Sequence, residues 1–281
     1  MSSNRLRTAS LLTLGTFATT TPVIGQSQGF DDFRRATAHA LSAQPRADES
    51  KSARGAQGDT GRHFTSRADS VDWARGKSLA NKSTGFRVIV SLQERHVWVV
   101  SDEDTLLSAP AAVAKGTTLT YAGREFTFKT PRGQRRVLNK DADPIWNPPD
   151  WLYIETAEEH GLKVAHIPLT GSVTTADGRK LVVRDNRVGV IDGEGFSEFD
   201  PHLHIIFGET LYIPPIGTEN RRVSGTLGKY KLNLGDGYML HGTPDQNSIG
   251  LRATHGCVRL RDEDIEWLYE NVPVGAKVYI Y

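Results

Sequence analysis

Large apolar side chains become dense along this chain only from Phe86 onward. Residues 86–92 (FRVIVSL) and 96–100 (HVWVV) are β-rich runs on either side of Gln93-Glu94-Arg95, a pattern that predicts a hairpin. Further strands are expected at 106–113, 117–121 and 125–129, followed by a turn at Thr130-Pro131-Arg132-Gly133. Residues 143–151 (DPIWNPPDW) form an aromatic and proline cluster without periodicity. It reads as a stiff loop beside a ligand groove, where Trp146 would meet substrate, or as ordinary surface packing of Trp on Pro. A short helix at 156–160 and β-rich pieces at 181–184, 187–191 and 202–207 come next. Runs at 229–234 and 238–241 flank Gly235-Asp236-Gly237, whose glycines permit the positive φ of a tight hairpin turn. Asp262 is placed to cap a helix reaching about Glu270, with Ile265, Leu268 and Tyr269 on one face, and 272–281 closes the chain as a strand. Short strands separated by turns at this spacing predict a mostly β domain.

The region before Phe86 has another texture. Arg5 and Arg7 precede an apolar-to-neutral run from Leu11 to Ile24, so residues 1–25 read as an export signal and predict an exported protein, in the periplasm or cell envelope. Residues 26–85 read as a flexible linker, with a short amphipathic helix at 30–41. The stretch 45–61 carries too few apolar side chains to offset its ordering entropy. The globular domain is expected to span 86–281. The whole chain carries 34 basic and 33 acidic residues, a formal net charge of +1, so no strong field attracts nucleic acid or an anionic membrane. No later window approaches the ~18 apolar residues that a membrane span needs. A monomer without nucleic-acid partners is expected.

Candidate chemistry concentrates in residues 238–260, YMLHGTPDQNSIGLRATHGCVRL, which hold the only cysteine, Cys257. A lone cysteine cannot form an internal disulfide. It is either a buried apolar residue or a nucleophile, and export favours the second, because an idle thiol outside the cytoplasm risks oxidation. At a pKa of ~8.5 only about 3% of a free thiol is thiolate at neutral pH, so a base is needed. His255, two residues away, shares a face with Cys257 if the segment is extended, whereas His241 meets the thiol only through folding. Gly256 would let a substrate carbonyl approach the N–H groups of Gly256 and Cys257, an oxyanion site, and the Gly242 carbonyl is available to orient His241. A metal site is the competing chemistry. His202 and His204 would lie on one face of a strand, with Asp200, His241 or Cys257 completing the set, but no known ligand spacing is present and no metal is assigned.

Thr254-His255-Gly256-Cys257-Val258-Arg259-Leu260, preceded by His241-Gly242-Thr243, resembles the L,D-transpeptidase (YkuD-type) catalytic domain of bacterial cell-wall enzymes. The 86–100 hairpin is similar to the family's opening strands, Thr130-Pro131-Arg132-Gly133 to its TP-x-G turn, and Gly228-Lys229-Tyr230 to its strand leading to the histidine. The resemblance implies a YkuD-like β-sandwich or barrel with short helices. It makes Cys257 the nucleophile and His241 the general base oriented by Gly242, while His255 and Gly256 shape the oxyanion site. Thr254 and Trp146 would contact substrate; Arg259 would position substrate or the catalytic loop, or form a structural salt bridge. The implied reaction is a two-step acyl transfer between peptidoglycan stem peptides, without cofactor, giving a 3→3 cross-link. Water as acceptor would make the same site an L,D-carboxypeptidase or another cell-wall cysteine hydrolase, and carbapenems are expected to acylate the thiol. A non-catalytic wall-binding protein with Cys257 in its core is the remaining reading. Residues 151–224 exceed what the family core needs and read as a lid, a subdomain or a substrate-selecting insertion.

Overall fold

The computed structural model describes residue 64 and residues 66–281 except 194. The expected export signal, the helix at 30–41 and the linker up to residue 63 lie outside the described residues. Three helices, α1 (Arg67–Lys82), α2 (Asp150–Glu159) and α3 (Asp262–Asn271), accompany a predominantly β structure.

The opening hairpin forms as its pattern predicts. Strand Arg87–Ser91 pairs antiparallel with His96–Ser101, with Arg87 opposite Val100 and Ser91 opposite His96. Asp104–Pro110 extends this sheet on one side. On the other, Lys277–Ile280 runs parallel to Arg87–Ser91 and antiparallel to Gly133–Arg136. The first strand is buried along its whole length because both faces of the sheet are covered. Successive side chains point to opposite faces. Val88, Val90, Val97, Val99, Val278 and Ile280 therefore enter the main core, while Ile89, Trp98, Val100, Tyr279 and Tyr281 face Trp73 and Ala80 of α1.

Helix α1 corrects the expected linker, which was drawn as far as residue 85. Ser66 caps it by accepting from the Asp69 N–H at 3.0 Å. Only Trp73 and Ala80 are buried, so the Arg-, Lys- and Ser-rich composition that reads as a tether is the solvent face of a docked helix. The helix lies so close that a Cβ on Gly76 would collide with Tyr281.

A second sheet, in the order Val258–Arg259, Tyr238–His241, Tyr230–Gly235 and Asn139–Ala142, shares the main core through Leu232, Leu234, Leu240 and Val258. Helix α3 adds Ile265 and Leu268 to that core. Asp262 is not its cap: Arg261 holds that position without a side-chain cap bond. Asp262, Glu263 and Asp264 instead occupy the first turn, where negative charge suits the helix dipole. No sheet closes into a barrel among the described residues.

The expected insertion folds on cores of its own. A meander of Ser172–Thr174, Lys180–Arg184, Arg187–Asp192 and Gly195–Glu198 lies beside a sheet of Ile205–Phe207, Thr210–Ile213 and Lys163–His166. Leu181, Val188, Ile205 and Tyr212 fill one core, and Tyr153 and Ala157 of α2 pack with Leu211 and Ile213 in another. Helix α2 begins at Asp150, earlier than the expected 156, directly after Pro149. Arg221, 1% exposed, ties this region together. It donates to the carbonyls of Pro148 and Pro214 and to Asp150 Oδ1, each at 2.6 Å.

If α1 is an integral layer, Trp73→Ala should lower the unfolding free energy by about 3–5 kcal/mol, read as a fall in the denaturant midpoint. A change within about 0.5 kcal/mol, as expected of a surface position, would return α1 to the linker.

Candidate active site

Tyr238–His241 runs parallel to Val258–Arg259, with Leu240 opposite Val258 and His241 opposite Arg259. This pairing brings the histidine of one segment beside the cysteine that starts the other. Cys257, His241, His255, Gly256, Thr254, Arg259 and Trp146 all line one cavity of about 380 Å³. Gly242 lies behind it. A Cβ there would come within 3.2 Å of Gly228 Cα and Ile265 Cγ2, so the two backbones touch because both residues are glycine.

His241 is 4% exposed. Its Nδ1 lies 2.6 Å from the Gly242 carbonyl. A carbonyl only accepts, so Nδ1 carries the proton and Nε2 keeps a lone pair. Burial, reinforced by the Arg259 guanidinium, pushes the imidazole down to about 3 against the pull of the Gly242 and Leu227 carbonyls. Cys257 is half-buried, with Sγ 3.7 Å from the Gly237 carbonyl. Burial pushes its thiol above the ordinary value, while the Met239 backbone and Arg259 pull it down. Near neutral pH the site therefore pairs a neutral thiol with a neutral imidazole.

The cysteine loop is held from within. Thr254, 2% exposed, donates from Oγ1 to the Cys257 carbonyl at 2.6 Å, and its Oγ1 accepts from the Gly256 N–H at 3.2 Å. Two expectations change. The Thr254 hydroxyl is committed to the loop and not to substrate, and the Gly256 N–H expected in an oxyanion site is already engaged. Gly256 has φ +146, and a Cβ would stand 2.8 Å from Tyr238 Cε1, so the loop is closed to larger residues. Arg259 is buried, with Nη1 3.5 Å from Ser248 Oγ. Its charge acts on Cys257 and His241 from the cavity lining that it shares with them.

His255 is built differently from His241. Its Nε2–H donates to Glu155 Oε2 at 2.8 Å. The ring stacks on Trp151, with centroids 4.1 Å apart and 18° between planes, and meets Phe128 edge-on at 4.5 Å. Burial lowers its pKa, outweighing the pull of Glu155. Burial also works to raise Glu155, but hydrogen bonds from His255 and Lys115 hold that carboxyl below the usual range. Glu155 is thus ionised and His255 is a neutral donor. Glu155 and Phe128 were not singled out from sequence, and Trp151 and Tyr238 entered only as members of the 143–151 and 238–260 stretches. Trp151 and Glu155 stand i, i+4 on α2, a signal that appears only once the helix is started at Asp150.

The metal alternative loses its strand, which begins at Ile205. His202 is exposed in a turn, and His204 packs against Tyr153 with its pKa pushed down to about 3 by burial and neighbouring His160. No cluster of three or more His, Cys, Asp or Glu suited to a metal ion occurs among the described residues.

Comparison with known proteins gives the family. Residues 85–280 match the family model described as the L,D-transpeptidase catalytic domain. The chain belongs to the L,D-transpeptidase (YkuD) family. Probable L,D-transpeptidase YbiS of Escherichia coli is 49% identical over 72 residues, which is 25% of this chain and 22% of that protein. Probable L,D-transpeptidase ErfK/SrfK of Escherichia coli is 44% identical over 74 residues, covering 26% and 22%. These alignments thus span about a fifth of each relative. Among solved structures, an L,D-transpeptidase from Xylanimonas cellulosilytica aligns over 71% of this chain and 62% of its own, at 17% identity and a TM-score of 0.38. No helix among the described residues of this family member is long and apolar enough to cross a membrane.

The electrostatics set a sign for pH dependence. With the thiol raised and His241 lowered to about 3, no imidazolium is present above pH ~5 to hold a thiolate. Alkylation of Cys257 by iodoacetamide in the substrate-free protein should therefore climb with pH through 7 and past ~8.5. A plateau between about pH 5 and 7 would reveal a thiolate–imidazolium pair instead. Separately, Glu155→Ala leaves the buried His255 N–H unpaired and should cost about 1–3 kcal/mol in a denaturant melt, with Glu155→Gln costing less.

Proposed function

We propose that this chain is an exported peptidoglycan L,D-transpeptidase working through a Cys257 thioester. The observation that carries the reading is the His241 tautomer. With Nδ1–H committed to the Gly242 carbonyl, Nε2 is an acceptor in the cavity that Cys257 also lines. In acylation, Cys257 Sγ attacks the carbonyl of the third residue of a stem tetrapeptide as Nε2 takes the thiol proton. The resulting oxyanion is stabilised by the buried Arg259 charge and the loop backbone. Collapse breaks the C–N bond, and the imidazolium returns its proton to the departing D-alanine amine. In the second step the side-chain amine of a neighbouring stem's diamino acid forms the new C–N bond, the C–S bond breaks, and Nε2 relays a proton to sulfur. The low His241 pKa suits a group that is neutral at rest and charged only transiently. Trp146, Trp151 and Phe128 give the cavity an aromatic wall against which a stem peptide packs.

Incubation with a disaccharide-tetrapeptide should yield a mass adduct on Cys257 that has lost D-alanine, followed by cross-linked dimer. Cys257→Ala should abolish both; dimer formed by that variant would sink the nucleophile assignment. His241→Ala should slow adduct formation about 10²–10⁴-fold. A larger loss from His255→Ala would exchange the roles of the two histidines. Tripeptide without dimer, in the presence of acceptor, would identify a carboxypeptidase.

A further inference from the structure

A second cavity, of about 680 Å³, opens between the first turns of α1 and the paired strands Arg252–Thr254 and Val113–Ala114. It shares no lining residue with the cavity of Cys257. Four cations, Lys115, Lys129, Arg132 and Arg252, line it against two carboxylates, Asp69 and Asp72. Two of the cations are neutralised in place: Arg132 pairs with Asp69, and Lys115 pairs with Glu155 at 2.5 Å. Lys129 and Arg252 are exposed and form no ion pair among the described residues. The Arg252 guanidinium donates instead to the neutral Gln93 Oε1 at 3.2 Å. Gln93 is 5% exposed, and its Nε2 lies 3.5 Å from Asp69 Oδ2, so a buried amide holds the guanidinium from below. Desolvation within the cleft, reinforced by the Arg95 and Arg132 charges, lowers the Arg252 pKa against the pull of Asp69. Arg252 thus feels two like charges and one opposite charge, and it keeps its own charge at neutral pH.

We infer that this cleft is a binding site for an organic oxyanion of two charges, a phosphate monoester or paired carboxylates, held by Arg252 and Lys129. The guanidinium presents a fork of N–H donors that matches two oxygens of such a group, and the lysine adds a point charge. An anion seated there offsets the repulsion that Arg95 and Arg132 exert on Arg252, which no carboxylate of the protein does alone. The volume leaves room for the body of a ligand beside its charged group, and Asp72 remains to accept from a hydroxyl or amine on that body. The occupant would border the cysteine loop without entering the catalytic cavity. Lys115, which lines the cleft, donates its backbone N–H to the Thr254 carbonyl at 2.8 Å and holds Glu155, the partner of His255. The inference is independent of the thioester reading, because none of the residues that hold the anion takes part in acyl transfer.

The test is a titration of the full chain with sodium phosphate and, separately, with sodium citrate, while sodium chloride keeps the ionic strength constant. The thermal unfolding midpoint should rise saturably with either oxyanion, as it does for a ligand that binds only the folded state, and the curve yields a Kd. A lower Kd for phosphate assigns the site to phosphate-bearing ligands, and a lower Kd for citrate assigns it to polycarboxylates. Arg252→Gln and Lys129→Gln each remove one charge from an exposed side chain and should each raise the Kd about tenfold or more. If Arg252→Gln shows no cooperative melt, Lys129→Gln carries the comparison. Protein whose Cys257 has first been alkylated with iodoacetamide should bind with the Kd of the untreated chain, which separates this cleft from the catalytic cavity. A midpoint that rises no more than in the sodium chloride control overturns the site. So does a Kd unchanged in either folded variant, or binding that is lost on alkylation.

Discussion

The parallel pairing of Tyr238–His241 with Val258–Arg259 is the constraint on which the rest of the site depends. Two strands that run in the same direction cannot be joined by a tight turn. Here the intervening chain leaves the sheet to pair Arg252–Thr254 with Val113–Ala114 before returning. That detour brings Cys257 into the cavity on a loop whose polar atoms are satisfied internally by Thr254. Leu240, Val258 and Leu260 are at most 1% exposed in the main core, so the position of the strands is fixed by packing as well as by hydrogen bonds. A histidine and a cysteine sixteen residues apart in sequence thereby line one wall without either depending on a flexible side chain to reach the other.

Around that pair the molecule separates two histidines of identical chemistry. His241 points its proton at a backbone carbonyl and keeps a lone pair. His255 gives its Nε2 proton to an ionised carboxylate and is sandwiched by aromatic rings. The difference comes from partners supplied by remote segments. Gly242 approaches the Gly228 backbone closely, whereas Glu155 and Trp151 arrive on α2, at the start of the 151–224 region. That region reaches the cysteine loop through His255 and is itself anchored at Asp150 by the buried Arg221. A charge buried as deeply as Arg221 is costly unless fully paired, and its three oxygen partners tie the residue 148–150 segment to Pro214. The 151–224 region is therefore a structural part of the cavity wall.

Much of this was legible in the chain. The β-rich runs at 86–92 and 96–100, the glycine-flanked turn before Tyr238, and the period of Ile265 and Leu268 each express local physics, and each appears where expected. Cys257, His241, His255, Arg259 and Trp146 were all singled out, and all line one cavity. What went astray depended on tertiary partners. Residues 67–82 look like a tether because a helix that buries only Trp73 and Ala80 shows little periodicity. The Gly256 N–H looked available because nothing in the sequence says that Thr254 Oγ1 would occupy it.

Sequence alone determined the chemistry on offer: one thiol, two candidate bases and the glycines that let backbones meet. Those are properties of residue types and short spacings, which local sterics and intrinsic pKa values fix in advance. Only the tertiary structure decided which histidine keeps a lone pair, how far burial moves the thiol and imidazole, and that Glu155 and Trp151 stand against His255. Tautomer, desolvation and ion pairing depend on what lies across space, and His255 and Glu155 are 100 residues apart along this chain.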